Sequence, residues 1–300
     1  MEYGPSIIRS MPEETISVTE KQHGGIIVDV GPAVYEFVGD RLLPDRARVG
    51  DVTLLNQAGD GAYLVDNSGR MARVAGARAD VKSEILKQGP LRTVIHRSGW
   101  YVTDAGDRVA RAKMWFYFSE GCPYVRMTHT LVFTENTNDL WVRDYGLELQ
   151  TPDAPGAAAF AVGNADQNAG ELLSMQPVAA TEIFRTSLEG DEAYMLQDQY
   201  PHYRETEARA VIGQTPTPSG RVAAAEETFW AENWLTTVPA AADWADAAWK
   251  NRGMTVVMPW LAQRFPKEIS VAPDSVQAVF WSGRTGRELD FRGVTLVNEY

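Results

Sequence analysis

The sequence predicts an all-β protein, built as a large antiparallel β-sandwich with few short helices. Short runs rich in β-branched and aromatic residues recur along the chain, separated by Gly, Pro, Asn and Asp. Several runs alternate apolar and polar residues, as strands with one buried face do. Long amphipathic helices do not alternate with these runs, which argues against a doubly wound α/β fold or an α/β barrel.

The N-terminal half divides into strand-like runs bounded by turn residues. The runs expected to form strands are 25–30, 33–38, 52–56, 62–66, 84–87, 91–96 and 100–103. Turns are expected at Gly31-Pro32 and at Asn67-Ser68-Gly69, and residues 104–107 form a hairpin-type connection. Strands this numerous need a second layer to cover their apolar faces, which predicts two stacked sheets.

The two longest runs, 109–118 and 124–133, are joined by a short Gly- and Pro-containing segment and predict an antiparallel hairpin. In the second run, one face is expected to carry Val125, Met127, His129, Leu131 and Phe133. The other face carries Arg126, Thr128 and Thr130. A third run, 140–150, is expected to place on one face Trp141, Arg143, Tyr145, Leu147 and Leu149.

The last third of the chain has a weaker pattern. Strands are expected at 193–197, 208–212, 228–235, 254–258, 269–272 and 277–281, and loops at 153–156 and 163–171. Short helices are expected at 240–250 and 260–265.

Composition narrows the classes of partner. The formal net charge of −12 disfavours nucleic acid and anionic membranes, and it would also repel an acidic polysaccharide unless a local basic cleft overrides it. Cys122 is the one cysteine, so no intrachain disulfide forms. The N-terminal residues lack the apolar core of a signal peptide. The compartment stays open: secreted or periplasmic if a signal was removed, otherwise cytoplasmic.

Several segments, taken in order, resemble the exo-rhamnogalacturonan lyase-like polysaccharide lyases. The segments that carry the resemblance are 88–94, 99–101, 111–117, 123–130, 193–198, 243–246, 252–258 and 260–268. The resemblance covers roughly residues 25–282 and implies the N-terminal β-domain of such a lyase, similar to the galactose-mutarotase-like super-sandwich. It also implies that an (α/α) toroid follows, on which lyase chemistry depends. The expected organisation is a polar extension over 1–22 and one sandwich domain over 23–300, with the toroid beyond this chain.

The resemblance directs attention to residues suited to β-elimination. Cleavage of a uronic-acid glycoside needs a group that neutralises the carboxylate, a base and an acid. Residues 197–204 contain such groups: Tyr200 or His202 as base or acid, Arg204 as neutralising cation and Gln197 as a hydrogen-bonding partner of the sugar. The alternative is a polar turn at a strand end, where Pro201 interrupts the ladder.

Four further residues are candidates for substrate binding. His129 and Arg143 would line a cleft if they faced each other; otherwise His129 is a core histidine and Arg143 pairs with a distant carboxylate. Trp260 could stack on a sugar or pack between sheets. Lys267, with Arg264, could add a local basic spot.

No cofactor or metal is expected, because the four histidines and the acidic loops lack zinc-like or calcium-like spacing. The expected partners are a polysaccharide or oligosaccharide and a helical toroid domain of the same protein, with no nucleic acid and no membrane. The first hypothesis is a lyase domain acting on acidic, pectin-like glycans. The alternatives are a non-catalytic glycan-binding or structural domain and a mutarotase-type sugar epimerase.

Overall fold

The computed structural model describes residues 16–57, 61–136, 138–152, 159–165, 182–187, 191–197, 210–216, 233–238, 240–249, 251–264, 266–285 and 295–299. Across these ranges the chain forms 22 β-strands and four 3-10 helices of three residues each. This confirms the predicted all-β class. None of the helices in the described ranges has the length and apolar character needed to cross a membrane.

The strands of the first half, with two of the short helices, lie between Ser17 and Gln150. The strands are β1 Ser17–Glu20, β2 Ile26–Asp29, β3 Ala33–Phe37, β4 Arg46–Val49, β5 Val52–Asn56, β6 Ala62–Asp66, β7 Met71–Arg73, β8 Lys82–Gln88, β9 Arg92–Thr103, β10 Arg108–Ser119, β11 Arg126–Phe133 and β12 Val142–Gln150. The 3-10 helices are Gln22–Gly24 and Ala77–Ala79.

The second half continues the pattern. The strands are β13 Ala159–Ala165, β14 Glu182–Ser187, β15 Asp191–Gln197, β16 Ala210–Pro216, β17 Asn233–Val238, β18 Ala240–Trp249, β19 Arg252–Val257, β20 Glu268–Ala272, β21 Ser275–Trp281 and β22 Thr295–Glu299. The 3-10 helices are Ala262–Arg264 and Gly283–Thr285.

The strands form three antiparallel sheets. Strands β1 to β5 form a meander in chain order. The large sheet has the order β17-β16-β15-β20-β21-β12-β6-β7-β9-β10-β11-β22, with β8 also paired to β9. The third sheet has the order β14-β13-β18-β19. The segment expected as an extension, 1–22, contributes β1 to the first sheet.

The hairpin predicted from the two longest runs is confirmed. β10 pairs antiparallel with β11, and Met114 lies opposite His129 while Trp115 lies opposite Thr128. One side of β10 is fully buried and packs on the first sheet, where Phe37 meets Phe116 with ring centroids 4.9 Å apart. The alternation of the sequence therefore separates a core-facing side from an outer side on these strands.

Two expected strands, 91–96 and 100–103, merge into the single strand β9. Gly99 lies where they join, and a Cβ built on it would come 2.7 Å from Cγ1 of Val74. Glycine therefore permits the close approach of Val74 at this point without ending the strand.

The helix expected over 240–250 is wrong, because this segment is strand β18 between β13 and β19. Its buried residues recur with a period of two: Ala241, Asp243, Ala245, Ala247 and Trp249. Alanine favours helices by intrinsic propensity, but pairing on both edges and burial of alternate side chains decide the outcome here. The 3-10 helix Ala262–Arg264 falls within the second expected helix.

Strand β12 departs from the simple alternation expected for 140–150. The pairing register shifts between Val142 and Asp144 on one edge, and between Tyr145 and Gly146 on the other. In the first shift Arg143 is the extra residue on β12, and in the second Phe280 is the extra residue on β21, as in β-bulges. As a result Tyr145 is fully buried, whereas Arg143 is only half-buried.

Candidate functional site

The predicted catalytic residues, Tyr200, His202 and Arg204, lie outside the described residues. Gln197 is the last residue of β15 and lies three residues before Tyr200 in the chain. Its side chain is fully buried, and its Oε1 accepts a hydrogen bond of 3.1 Å from the backbone N–H of Ala241. In this conformation the Gln197 amide joins β15 to β18.

Gln197 and Lys267 are in direct contact, and Trp260 is connected to them through Arg264. The backbone N–H of Gln197 donates to the carbonyl oxygen of Lys267 at 3.1 Å. The guanidinium of Arg264 lies 4.5 Å from the ring centroid of Trp260, whose backbone adopts the left-handed region with a φ of 60°. Gln197 and Lys267 thus meet where β15 ends and β20 begins, and Trp260 is linked to them through Arg264, whose charge acts on Lys267.

Lys267 is almost completely buried beside this group. Burial, reinforced by the positive charge of Arg264, lowers the pKa of Lys267 to about 7, and the carboxylate of Asp243 acts in the opposite direction. Asp243 is itself held by the chain, because its Oδ1 accepts the backbone N–H of Leu261 at 3.0 Å. A buried amine with a pKa near neutrality can both accept and donate a proton at pH 7.

His129 belongs to the core. Its ring stacks on Phe280 with centroids 5.3 Å apart, and its Nε2 lies 3.3 Å from the hydroxyl of Tyr101. Burial lowers the pKa of His129 to about 3, so the imidazole is neutral at pH 7. These contacts agree with the core interpretation of this histidine.

A fully buried His129 does not share an open cleft with the half-buried Arg143. Asp144, next to Arg143, is buried and accepts a hydrogen bond of 3.1 Å from the hydroxyl of Tyr63. The structure therefore joins Gln197 to Lys267 directly and Trp260 to Lys267 through Arg264, but it does not join His129 and Arg143 to them in one open site.

A second group of side chains covers the outer side of β9, β10 and β11, opposite the core-facing side. We call it the basic–aromatic face. Its residues are Arg92, His96, Trp100, Arg108, Arg111, Lys113, Trp115, Tyr117 and Arg126. Arg92, Arg108 and Arg126 are exposed and the others half-buried, so the face is open to solvent.

Two aromatic rings of this face are each flanked by two arginines. The guanidinium carbons of Arg108 and Arg111 lie 5.3 Å and 5.8 Å from the ring centroid of Trp100. Those of Arg92 and Arg126 lie 5.2 Å and 5.7 Å from the ring of Tyr117. We call these groups the Trp100 cluster and the Tyr117 cluster. Cation–π contact holds each guanidinium near its ring, and Nε of Arg108 also donates to the carbonyl oxygen of Arg78 at 3.0 Å.

His96 and Trp115 lie between the two clusters, with ring centroids 4.7 Å apart. Burial lowers the pKa of His96; Glu84 on β8 acts to raise it, while Lys113 and Arg111 act to lower it further. The half-buried imidazole is therefore neutral at pH 7, and the positive charge of the face comes from lysine and arginine.

Small hydroxyl side chains fill the space beneath these larger groups. Ser98, Thr128 and Thr130 share the outer side of the strands and are buried under it. A guanidinium nitrogen of Arg111 donates to Oγ of Ser98 at 3.3 Å. This contact fixes the orientation of the Arg111 side chain relative to β9. A binding group that is already oriented does not have to reorganise when its ligand arrives.

The alternation of residues along β10 already predicts part of this face, although the hairpin prediction did not identify it as a site. Arg111, Lys113, Trp115 and Tyr117 alternate with the apolar residues that predicted β10. Alternation assigns them all to the outer side. Arg92 and Trp100 join them through the pairing register of β9, which the sequence does not show.

The segment that carries this face matches a known family. Residues 14–158 match the family model described as the PcRGLX-like protein central beta sandwich domain. The expected rhamnogalacturonan lyase-like family is confirmed over this segment. The family description places the sandwich centrally, whereas the resemblance had suggested an N-terminal position. A search of curated proteins found no match.

The PcRGLX-like segment includes β1 to β12 and therefore the whole basic–aromatic face, while Gln197, Trp260 and Lys267 lie beyond it. Within the described residues, no group of three or more His, Cys, Asp or Glu side chains is arranged to hold a metal ion. The chemistry that the face offers is recognition of anionic, ring-shaped groups by guanidinium donors and aromatic surfaces.

Proposed function

We propose that this chain is the β-sandwich domain of a polysaccharide lyase acting on acidic, pectin-like glycans, and that the basic–aromatic face binds the glycan. The observation that carries the proposal is the pairing of aromatic rings with arginines on one open side of a PcRGLX-like sandwich. A uronic-acid residue has an apolar ring face and a carboxylate, and the two clusters match both features.

The net charge of −12 would repel an acidic glycan, but the local charge of the basic–aromatic face is positive. Charges beyond about 8 Å are largely screened at physiological ionic strength, so distant acidic residues act weakly on a bound carboxylate. Arg92, Arg108, Arg111, Lys113 and Arg126 lie on the same outer side, so a ligand on the face meets mainly positive charge.

The proposal also assigns residues to the lyase reaction itself. Tyr200, His202 and Arg204 remain the proposed proton-transfer and carboxylate-neutralising groups, and Gln197, Trp260 and Lys267 remain proposed substrate-binding residues. Support comes from chain order, since they follow Gln197 at the end of β15, and from Lys267, whose lowered pKa suits proton transfer. The resemblance adds a helical toroid domain of the same protein, which would dock on this sandwich and complete the cleft.

A non-catalytic glycan-binding domain is the second candidate. The basic–aromatic face favours a non-catalytic domain, because its guanidinium groups and aromatic rings can hold a glycan by charge and stacking. None of these groups needs to exchange a proton with the ligand. Binding alone would require the face and none of the residues around Lys267.

The test uses polygalacturonate and a rhamnogalacturonan as acidic glycans, with dextran as a neutral control. Ultraviolet absorbance follows the conjugated double bond that β-elimination creates, and the melting temperature reports binding. A rise in absorbance, lost in His202→Ala and Tyr200→Phe, would support the lyase. A glycan-dependent rise in melting temperature without a change in absorbance would support the binding domain.

The face is tested separately by the double variant Arg111→Ala/Tyr117→Ala. Arg48→Ala is the matched control, because Arg48 is an exposed arginine on β4 of another sheet. We expect the double variant to lose the melting shift with polygalacturonate and Arg48→Ala to keep it. Absence of any shift and of any absorbance change with both acidic glycans would overturn the proposal.

A further inference from the structure

The Trp100 cluster and the Tyr117 cluster lie at opposite ends of the basic–aromatic face. Arg111 and Tyr117 are six residues apart on β10, and a strand advances about 3.3 Å per residue, which separates them by about 20 Å. Within that interval, Lys113 and Trp115 occupy the positions between them on the same outer side. The face is thus a row of sites along one strand.

The two ends of the row are built alike. Each has one aromatic ring between two guanidinium groups, at ring distances of 5.2–5.8 Å. Each end combines residues from two or three neighbouring strands: Trp100 lies opposite Arg111 across β9 and β10, and Tyr117 lies opposite Arg126 across β10 and β11. The rigid pairing of these strands fixes the distance between the two ends.

We propose that the two clusters bind two separate carboxylates of one linear polyuronate, which lies along β10 over Lys113 and the His96–Trp115 pair. This inference rests on the proposed function and deepens it, because it specifies the ligand as an oligomer long enough to reach both clusters. A shorter uronate occupies one cluster at a time.

The consequence is a threshold in chain length. Once an oligomer spans both clusters, the second contact becomes intramolecular and its effective concentration reaches the millimolar range for a short flexible connection. Each carboxylate–guanidinium contact is weak by itself at an exposed site. The affinity therefore rises steeply at the spanning length and changes little with each residue below it.

The experiment measures binding of galacturonic acid and of a series of oligogalacturonates of increasing length by calorimetry. One variant, Arg108→Ala/Arg111→Ala, removes the arginines of the Trp100 cluster, and Arg92→Ala/Arg126→Ala removes those of the Tyr117 cluster. We expect wild-type affinity to increase at least tenfold across a narrow range of lengths. Each variant is expected to abolish that step, while its affinity for the shortest ligands falls about twofold, since one of two equivalent clusters remains.

Lysine variants guard against loss of folding. Arg108→Lys/Arg111→Lys keeps the charge but loses the planar fork that matches a carboxylate. We expect it to fold as the wild type does and to reduce the affinity step. An affinity that is independent of length, or a step that survives in both alanine variants, would overturn the two-cluster inference and leave glycan binding intact. Absence of oligogalacturonate binding at every length would also overturn the inference, and only a further absence of binding to a rhamnogalacturonan would contradict the proposed function itself.

Discussion

His96 and Trp115 lie directly opposite each other on β9 and β10, with their ring planes inclined by 36°. The indole covers one side of the imidazole, and burial is the largest cause of the lowered pKa of His96. The charges that act on His96 come from neighbouring strands: Glu84 on β8 raises the pKa, and Lys113 and Arg111 on β10 lower it.

We therefore expect Trp115→Ala to raise the pKa of His96 towards the ordinary value, because water then reaches the ring. Glu84→Gln removes the carboxylate that favours the charged imidazole, and it should lower the pKa further. The measurement is an NMR titration of the His96 ring proton, assigned with His96→Gln. The two variants must shift the titration in opposite directions; a shift in the same direction would refute this account of the face.

His129 leads to a prediction about acid stability. Its pKa is about 3 in the folded protein, against an ordinary value of 6.5. Above pH 6.5, His129 is neutral in both the folded and the unfolded state. As the pH falls from 6.5 towards 3, the unfolded state gains a proton that the folded state does not, and stability is lost by up to about 1.4 kcal/mol per pH unit.

The variant His129→Gln removes this titration and keeps a polar group near the hydroxyl of Tyr101. Urea unfolding between pH 6.5 and 4 measures the slope of stability against pH. We expect the slope to be shallower in His129→Gln than in the wild type, whatever the absolute stability of the variant. Parallel slopes would show that His129 does not titrate in this way.

The sequence predicted those parts of the fold that depend on local alternation. The β10–β11 hairpin and its two sides followed from residues 109–133, because a strand reveals its buried side by period two. Strand β18 did not, since its alanines favour a helix locally and the pairing with β13 and β19 involves distant residues. The register shifts of β12 against β6 and β21 were not predicted either, because they depend on which strands flank β12.

The two candidate sites also differ in how far the sequence predicts them. Residues 197–204 are predicted as a site because polar, titratable groups lie close together in the chain. The basic–aromatic face is assembled from three strands, and its ring–guanidinium contacts arise only after Trp100 meets Arg111 and Tyr117 meets Arg126. The sequence predicts which residues of one strand point outward. Which residues of the neighbouring strands lie beside them depends on the pairing register.

A buried charged group in the second half of the chain carries a third prediction. Arg284 donates from one terminal nitrogen to Oε2 of Glu192 at 2.7 Å and from Nε to Oε1 of Glu268 at 3.1 Å. All three residues are buried, and Ser282 also donates to Glu268, at 2.5 Å. The guanidinium thereby joins the helix Gly283–Thr285 to β15 and β20.

We expect Arg284→Met to lower the free energy of unfolding by about 3–5 kcal/mol, because it removes the cation between two buried carboxylates. The matched control is Lys82→Met, which breaks the exposed pair of Lys82 with Asp80 at 3.7 Å. That change is expected to be at most about 1 kcal/mol. Urea denaturation compares the three proteins, and equal stability of the two variants would contradict the structural role of Arg284.

Gly146 provides the last prediction, which concerns the close packing of β12 against β21. A Cβ built on Gly146 would lie 2.5 Å from the carbonyl oxygen of Ala278 and 2.9 Å from Cα of Val279. Both atoms belong to the backbone of β21, so a methyl group is accommodated only if the strand moves. The position follows a bulge and lies between β6 and β21, which leaves little freedom for that movement.

We expect Gly146→Ala to destabilise the protein by about 1–3 kcal/mol, as overpacking in a filled interior does. Gly89→Ala is the control, because its Cβ would meet the carbonyl oxygen of Arg92 at an ordinary 3.5 Å. Urea midpoints for the two alanine variants test the difference. If Gly146→Ala unfolds at the same midpoint as Gly89→Ala, β12 and β21 are not packed as closely as described, and the bulge has room for a side chain.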